Sequence, residues 1–346
     1  MKRILPGMLM FLSAALLLLA PERSAEAISQ GLRVCTGSIL PVMFPFFVWS
    51  ELWIQLGFSK SMCRFLGPVT EKFFHLPQES TSALILGAIG GYPAGAQVTT
   101  TLYDSGQLTK AEAEATLLFC NNAGPAFIIG VLGGGLFQSI VIGLALWTIH
   151  LLAAWIPGFL FRPKEIPSKR EAISEENRRS FISALTEAID HAGQTTFHVC
   201  VFILLFSILF QQLHALMPKS VFTTVLLGSL ELAGGCSRLG ALGLSQETAF
   251  VICAGLLGWG GLCVHCQTVS LLGQTDLCTR THWLGKTLHA ICSTALACLV
   301  SPFLPLQLPC FTTANRPPTE AICLLTSMIM LVFLKSSSGK TTHHRI

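Results

Sequence analysis

Charged residues are bunched along this chain, and long apolar blocks separate the bunches. No Asp, Glu, Lys or Arg occurs in 80–103, 115–161, 192–218, 248–275 or 287–315. At about 1.5 Å per helical residue, roughly 20 residues cross about 30 Å of hydrocarbon. Five such blocks predict several crossings or deep entries. The chain therefore reads as an all-α polytopic membrane protein.

The first block has two readings. Lys2-Arg3, the apolar run Leu9–Ala20 and Ala25-Glu26-Ala27 follow the order of a cleavable signal peptide, and Ile4–Ala20 is also long enough to be a first membrane helix. Residues 1–27 are signal peptide or first helix, and Ile28 lies outside either way. Lys and Arg of short loops prefer the cytoplasm. On that rule 37–58 runs inward to Lys60, Arg64 and Lys72, made irregular by Pro41 and Pro45. The charged stretch 162–190, with Arg162, Lys164, Lys169, Arg170, Arg178 and Arg179, is a cytoplasmic linker between 32–161 and 191–308. Segment 246–272 returns toward Arg280 and Lys286, and 287–308 goes out. Residues 309–346 supply a last helix and a basic tail.

Two blocks carry glycines and prolines that a regular helix resists. The stretch 84–97 crowds Gly90, Gly91, Tyr92, Pro93 and Gly95 into an apolar span. A capped helix start follows at Thr109 with Glu112 three residues on. That helix meets a second break at Asn121-Asn122-Ala123-Gly124-Pro125. The second half has the same layout. Glu231 precedes Gly234 and Gly235, Ser245 opens a helix, and Gly260 and Gly261 break it. Gly124 lies fifteen residues after Thr109, and Gly260 fifteen after Ser245. Charge counting has the two units entered from opposite sides, the layout of an inverted repeat with broken or re-entrant helices.

Composition narrows the function. Hydrophobic residues make up 51% and charged residues 12%, against about 25% charged in soluble domains. The net charge of +4 is dispersed over loops and ends, with no basic face for nucleic acid. The 13 cysteines lie mostly in apolar segments, where a thiol packs as a small hydrophobe. Walker A, HExxH and GxSxG sequences are absent, and neither an aspartate pair nor a serine-centred motif lies in the breaks. An enzyme is not expected.

Candidate chemistry gathers at the breaks. Asn121 and Asn122 either bind a polar solute or hydrogen-bond the opened backbone. Tyr92 and Pro93 are structural, with ligand contact by Tyr92 the alternative. Glu231 is the lone charge between Lys219 and Arg238, and a carboxylate within a membrane points to function by default. It would take a proton, bind a cation or accept from a hydroxyl; the alternative is pairing with Arg238. His265 and Gln267 follow the last break, His265 as proton relay or as a histidine satisfied by a backbone carbonyl. Cys236, Cys263, His265 and Cys266 invite a metal, but without a second ligand motif no metal or cofactor is expected.

The elements LPVMFPFFVWSEL (40–52), GGYPAGA (90–96), EAEATLLFCNNAGPAFIIGVLG (112–133), Glu231 with its glycines, and GWGGLCVHCQT (258–268) resemble the YlbJ-type sporulation integral membrane proteins of the nucleoside-recognition, or Gate, group. The resemblance covers roughly 32–300, with Cys120, Cys236, Cys263 and Cys266 as departures. It implies two Gate-like units, a bacterial cell membrane and a link to spore formation. The function expected is binding or movement of a small polar solute, nucleoside-like in the first instance, by a secondary-transport mechanism. Asn121, Asn122 and Gln267 would orient the solute, with Glu231 and His265 handling a proton or cation. The alternative is a non-transporting scaffold for spore coat or cortex. Expected partners are the lipid bilayer and the solute, and a homo-oligomer stays open.

Overall fold

The computed structural model describes residues 20–56, 59–164 and 180–306. The expected apolar helix before residue 20, the core of the charged linker (165–179) and the last helix and basic tail lie outside them. The described residues are helical, without strands. Among the described residues four helices are long and apolar enough to cross a bilayer: Ile140–Leu160, Phe181–Leu216, Gln246–Leu272 and Thr279–Phe303. The chain is an all-α, multi-pass membrane protein.

Helices α1 (Pro21–Val34) and α2 (Leu40–Gln55) meet at a π-helical turn, Cys35–Ile39. Pro45 sits inside α2. Both helices pack along α8 (Phe181–Leu216). α1 runs through Ala25-Glu26-Ala27, and its start is tied to α8 where Gln212 Nε2 donates to Ala20 O (3.1 Å) and Ser24 Oγ (3.0 Å). α3 (Ser59–Phe74) leads into the first broken pair, α4 (Ser80–Gly90) and α5 (Ala94–Asp104).

Next come α6 (Lys110–Leu117), an irregular stretch, a π-helical segment at Ala126–Leu136 and the long α7 (Ile140–Leu160). The second half also holds two interruptions. α9 (Val221–Leu230) and α10 (Leu232–Leu239) flank an interruption at Glu231. α11 (Gln246–Trp259) and α12 (Leu262–Leu272) flank Gly260-Gly261, and α13 (Thr279–Val300) closes the series.

The helix starts follow from side-chain capping. Thr109 accepts from the Glu112 amide while the Glu112 carboxylate accepts from the Thr109 amide, a capping box. Ser245 accepts from the Thr248 amide and starts α11. α11 is buried from Ala249 to Gly258 and forms the middle of the largest apolar cluster, between α7 and α13. Leu160, Ile182, Phe197 and Leu299 face outward, as lipid-facing side chains do.

Two boundaries differ from expectation. α13 starts at Thr279, not after Lys286, so Lys286 lies within a membrane helix at 2% exposure. It was expected in a cytoplasmic loop. α8 begins at Phe181, which makes 181–190 its first turns.

Candidate functional site: converging helix interruptions

The broken helices meet one another. Gly91, Gly260 and Gly261 have φ of +83°, +88° and +83°, a region closed to most side chains, and Tyr92-Pro93 is cis. A methyl group on Gly91 would lie 3.1 Å from the Gly124 nitrogen, which joins the two interruptions of the first half. One on Gly260 would lie 3.3 Å from the Tyr92 ring and hydroxyl. One on Gly261 would lie 3.2 Å from the Leu232 nitrogen, beside Glu231. Four interruptions, two from each half, thus form one connected set.

Side chains cross between them. Tyr92 donates its hydroxyl to Leu257 O at 2.7 Å, linking the α4–α5 break to the last turn of α11. Lys286 Nζ lies 2.9 Å from the Tyr92 oxygen, 3.3 Å from Asn121 O and 3.1 Å from His289 Nδ1. Asn121 Nδ2 donates to Thr268 Oγ1 on α12 at 2.9 Å. His289 Nε2 reaches His150 O on α7 (2.8 Å), and His150 Nε2 accepts from the Ala123 amide (3.0 Å). Sequence reasoning did not single out Lys286, His150, His282 or His289. The signal available was His282, Lys286 and His289 at positions i, i+4 and i+7, one face of a helix.

The expected site residues divide into groups. Asn121 joins Lys286 and Thr268. Asn122 turns back to its own chain, donating to Phe119 O at 3.1 Å. Both side-chain oxygens, Asn121 Oδ1 and Asn122 Oδ1, are buried without a partner. His265 Nδ1 pairs with His282 Nε2 at 3.0 Å, its ring stacks on Trp283, and its Nε2 is buried and unpartnered. Gln267 Nε2 contacts Cys263 Sγ one turn back. Pro125 precedes the π-helical segment. Gly90 packs on Phe46, and Gly235 packs on Gly228.

Glu231 caps α10: its carboxylate accepts from the amides of Ala233 (2.9 Å) and Gly234 (2.6 Å). Arg238 bonds His214 and Gln211 and lies over the Phe210 ring. Helix N-terminal amides therefore hold the acid.

A polar cleft of about 440 Å³ is lined by none of the interruption residues. Its walls come from α2, α5, residues 187–198 of α8 and the end of α12, with Glu51, Gln97, Thr101 and His191 among the polar residues. Glu51 is buried and accepts from Gln55 (3.1 Å) and Thr101 (3.2 Å). Gln97 Oε1 is buried without a partner. Among the described residues, no group of three or more His, Cys, Asp or Glu is placed to hold a metal ion.

Residues 37–140, the stretch holding both interruptions of the first half, match the family described as Gate, nucleoside recognition. With its long apolar helices the protein is thus a multi-pass bacterial membrane protein in which that stretch is similar to the Gate family. More particularly, it is 26% identical over 309 residues to the sporulation integral membrane protein YlbJ of Bacillus subtilis (strain 168), covering 78% of this chain and 76% of that protein. No solved structure matches it.

Proposed function

We propose that this protein binds a small polar solute where the interruptions meet and moves it across the membrane as a secondary transporter. In this reading 32–161 and 191–308 are inverted units whose re-entrant halves carry the solute between them, joined by a cytoplasmic linker. Asn121, Asn122 and Gln267 orient the solute, and Glu231 and His265 serve the proton or cation step. The observation that carries the reading is the set of buried, unpartnered acceptors at one junction, above all Asn121 Oδ1 and Asn122 Oδ1. Leaving such atoms unbonded costs about 1–3 kcal/mol each, so a membrane interior retains them where water or a solute meets them. α5 and α12, the two half-helices that follow breaks, also line the polar cleft.

The description of the matched family makes nucleosides the first solutes to try. Purified protein in lipid vesicles should take up at least one labelled nucleoside. Glu231→Gln and Asn122→Ala, checked for intact folding, should each lower the rate by about tenfold or more, because hydrogen bonds to charged or buried groups contribute about 1.5–3 kcal/mol. Wild-type rates from both variants would remove these residues from the site. No uptake by the wild type, with a spore coat or cortex defect on deletion, would replace the carrier with a scaffold.

A further inference from the structure

Lys286 is a buried basic side chain with three hydrogen-bond partners at its Nζ. Three atoms face its Nζ, and each can only accept. The Tyr92 O–H is directed at Leu257 O (2.7 Å), so the phenol presents a lone pair to Nζ at 2.9 Å. Asn121 contributes a carbonyl oxygen at 3.3 Å. His289 Nε2 lies 2.8 Å from the His150 carbonyl, a contact that requires an N–H there and leaves Nδ1 of the neutral ring as acceptor, 3.1 Å from Nζ. An amine has two N–H bonds and would meet one of these acceptors lone pair to lone pair. An ammonium has three and satisfies all of them. The Tyr92 ring, 4.8 Å from Nζ, adds a cation–π contact.

None of the three partners is a carboxylate. The charge is held by oxygens at opened helices: Asn121 O in the first half's second break and, through the Tyr92 hydroxyl, Leu257 O in the last turn of α11. Carbonyls at helix ends carry partial negative charge, and unwound carbonyls of this kind coordinate alkali ions in transporters with discontinuous helices. Here the cation belongs to the chain. It comes from α13 and touches both halves at once.

We propose that Lys286 is a tethered cation occupying the position that an exchangeable sodium ion would take between the interruptions. The protein then binds no sodium there, and its interrupted helices are held together by a charge that cannot dissociate. A corollary, that solute movement needs no sodium gradient, rests on the carrier reading above; the ion site itself does not.

The test reads the site without any solute. Unfolding midpoints of the purified full chain in detergent are compared in sodium chloride and choline chloride of equal strength. The wild type should show the same midpoint in both. Lys286→Ala should melt lower and regain stability saturably with methylammonium chloride, which returns an ammonium to the vacated space. Lys286→Met, which fills the space without charge, should stay low and gain nothing. A saturable sodium-dependent rise in the wild type would overturn the proposal, as would a Lys286→Met variant as stable as the wild type. Should Lys286→Ala give no folded protein, Lys286→Arg must yield folded protein where Lys286→Met does not, and equal yields would overturn it. These outcomes do not depend on uptake, so a failed carrier assay leaves them readable.

Discussion

The Tyr92 hydroxyl donates at 2.7 Å to the carbonyl of Leu257, 165 residues further along the chain. One oxygen thereby joins the first interruption of one half to the end of the central helix of the other. It also accepts from Lys286, so a single phenol completes two buried groups.

Tyr92→Phe keeps the ring against Gly260 and removes only that oxygen. Leu257 O and one N–H of Lys286 would then lose a partner in a buried place, at about 1–3 kcal/mol per group. The unfolding midpoint should fall, and solute-independent protease resistance should fall with it. An unchanged midpoint would mean that water or a neighbour replaces the hydroxyl without loss.

Gly95 and Gly193 are both helical glycines with opposite surroundings. A methyl group on Gly95 would collide with the Cys120 carbonyl oxygen, whereas one on Gly193 would meet nothing within 4 Å. Gly95→Ala should destabilise by about 1–3 kcal/mol through overpacking. Gly193→Ala should stabilise by up to about 1 kcal/mol by restricting the unfolded chain. Thermal melts of the two variants should move in opposite directions.

At the α5–α6 end of the molecule Asp276 accepts from Tyr103 (2.6 Å) and Lys110 (2.9 Å). The Tyr103 hydrogen bond, and then that of Lys110, hold its carboxyl below the usual value of 3.8. A carboxyl depressed on folding adds stability above its unfolded pKa and loses it as the pH drops through the folded one. The contribution is therefore full above about pH 4 and fades below it. Asp276→Asn should be slightly less stable than the wild type above about pH 4, by a small margin because the group is exposed, and should converge with it as the pH falls below 3.8. An identical acid limb in the variant would show that other groups set it.

What could be read in advance were the features that short stretches dictate. Thr109 with Glu112, and Ser245, cap helices through bonds that span three residues, so their spacing suffices. Pro93 and Gly260-Gly261 break helices through their own backbone limits. Lys286 was misplaced because counting Lys and Arg treats every cation as a loop residue. The acceptors that hold this one inside lie on residues 92, 121 and 289. Glu51 went unnoticed for the same reason, since its cleft is assembled from α2, α5, α8 and α12.

Helix capping, chain breaking and hydrophobic length are local properties, and the order of residues alone determined the membrane class, the helix starts and the interruptions. Where the interruptions meet, which oxygens surround Lys286 and where the acceptors of Asn121 and Asn122 end up depend on contacts between residues far apart in the chain. Only packing decided these, because a hydrogen bond between Tyr92 and Leu257 leaves no periodicity in the sequence between them.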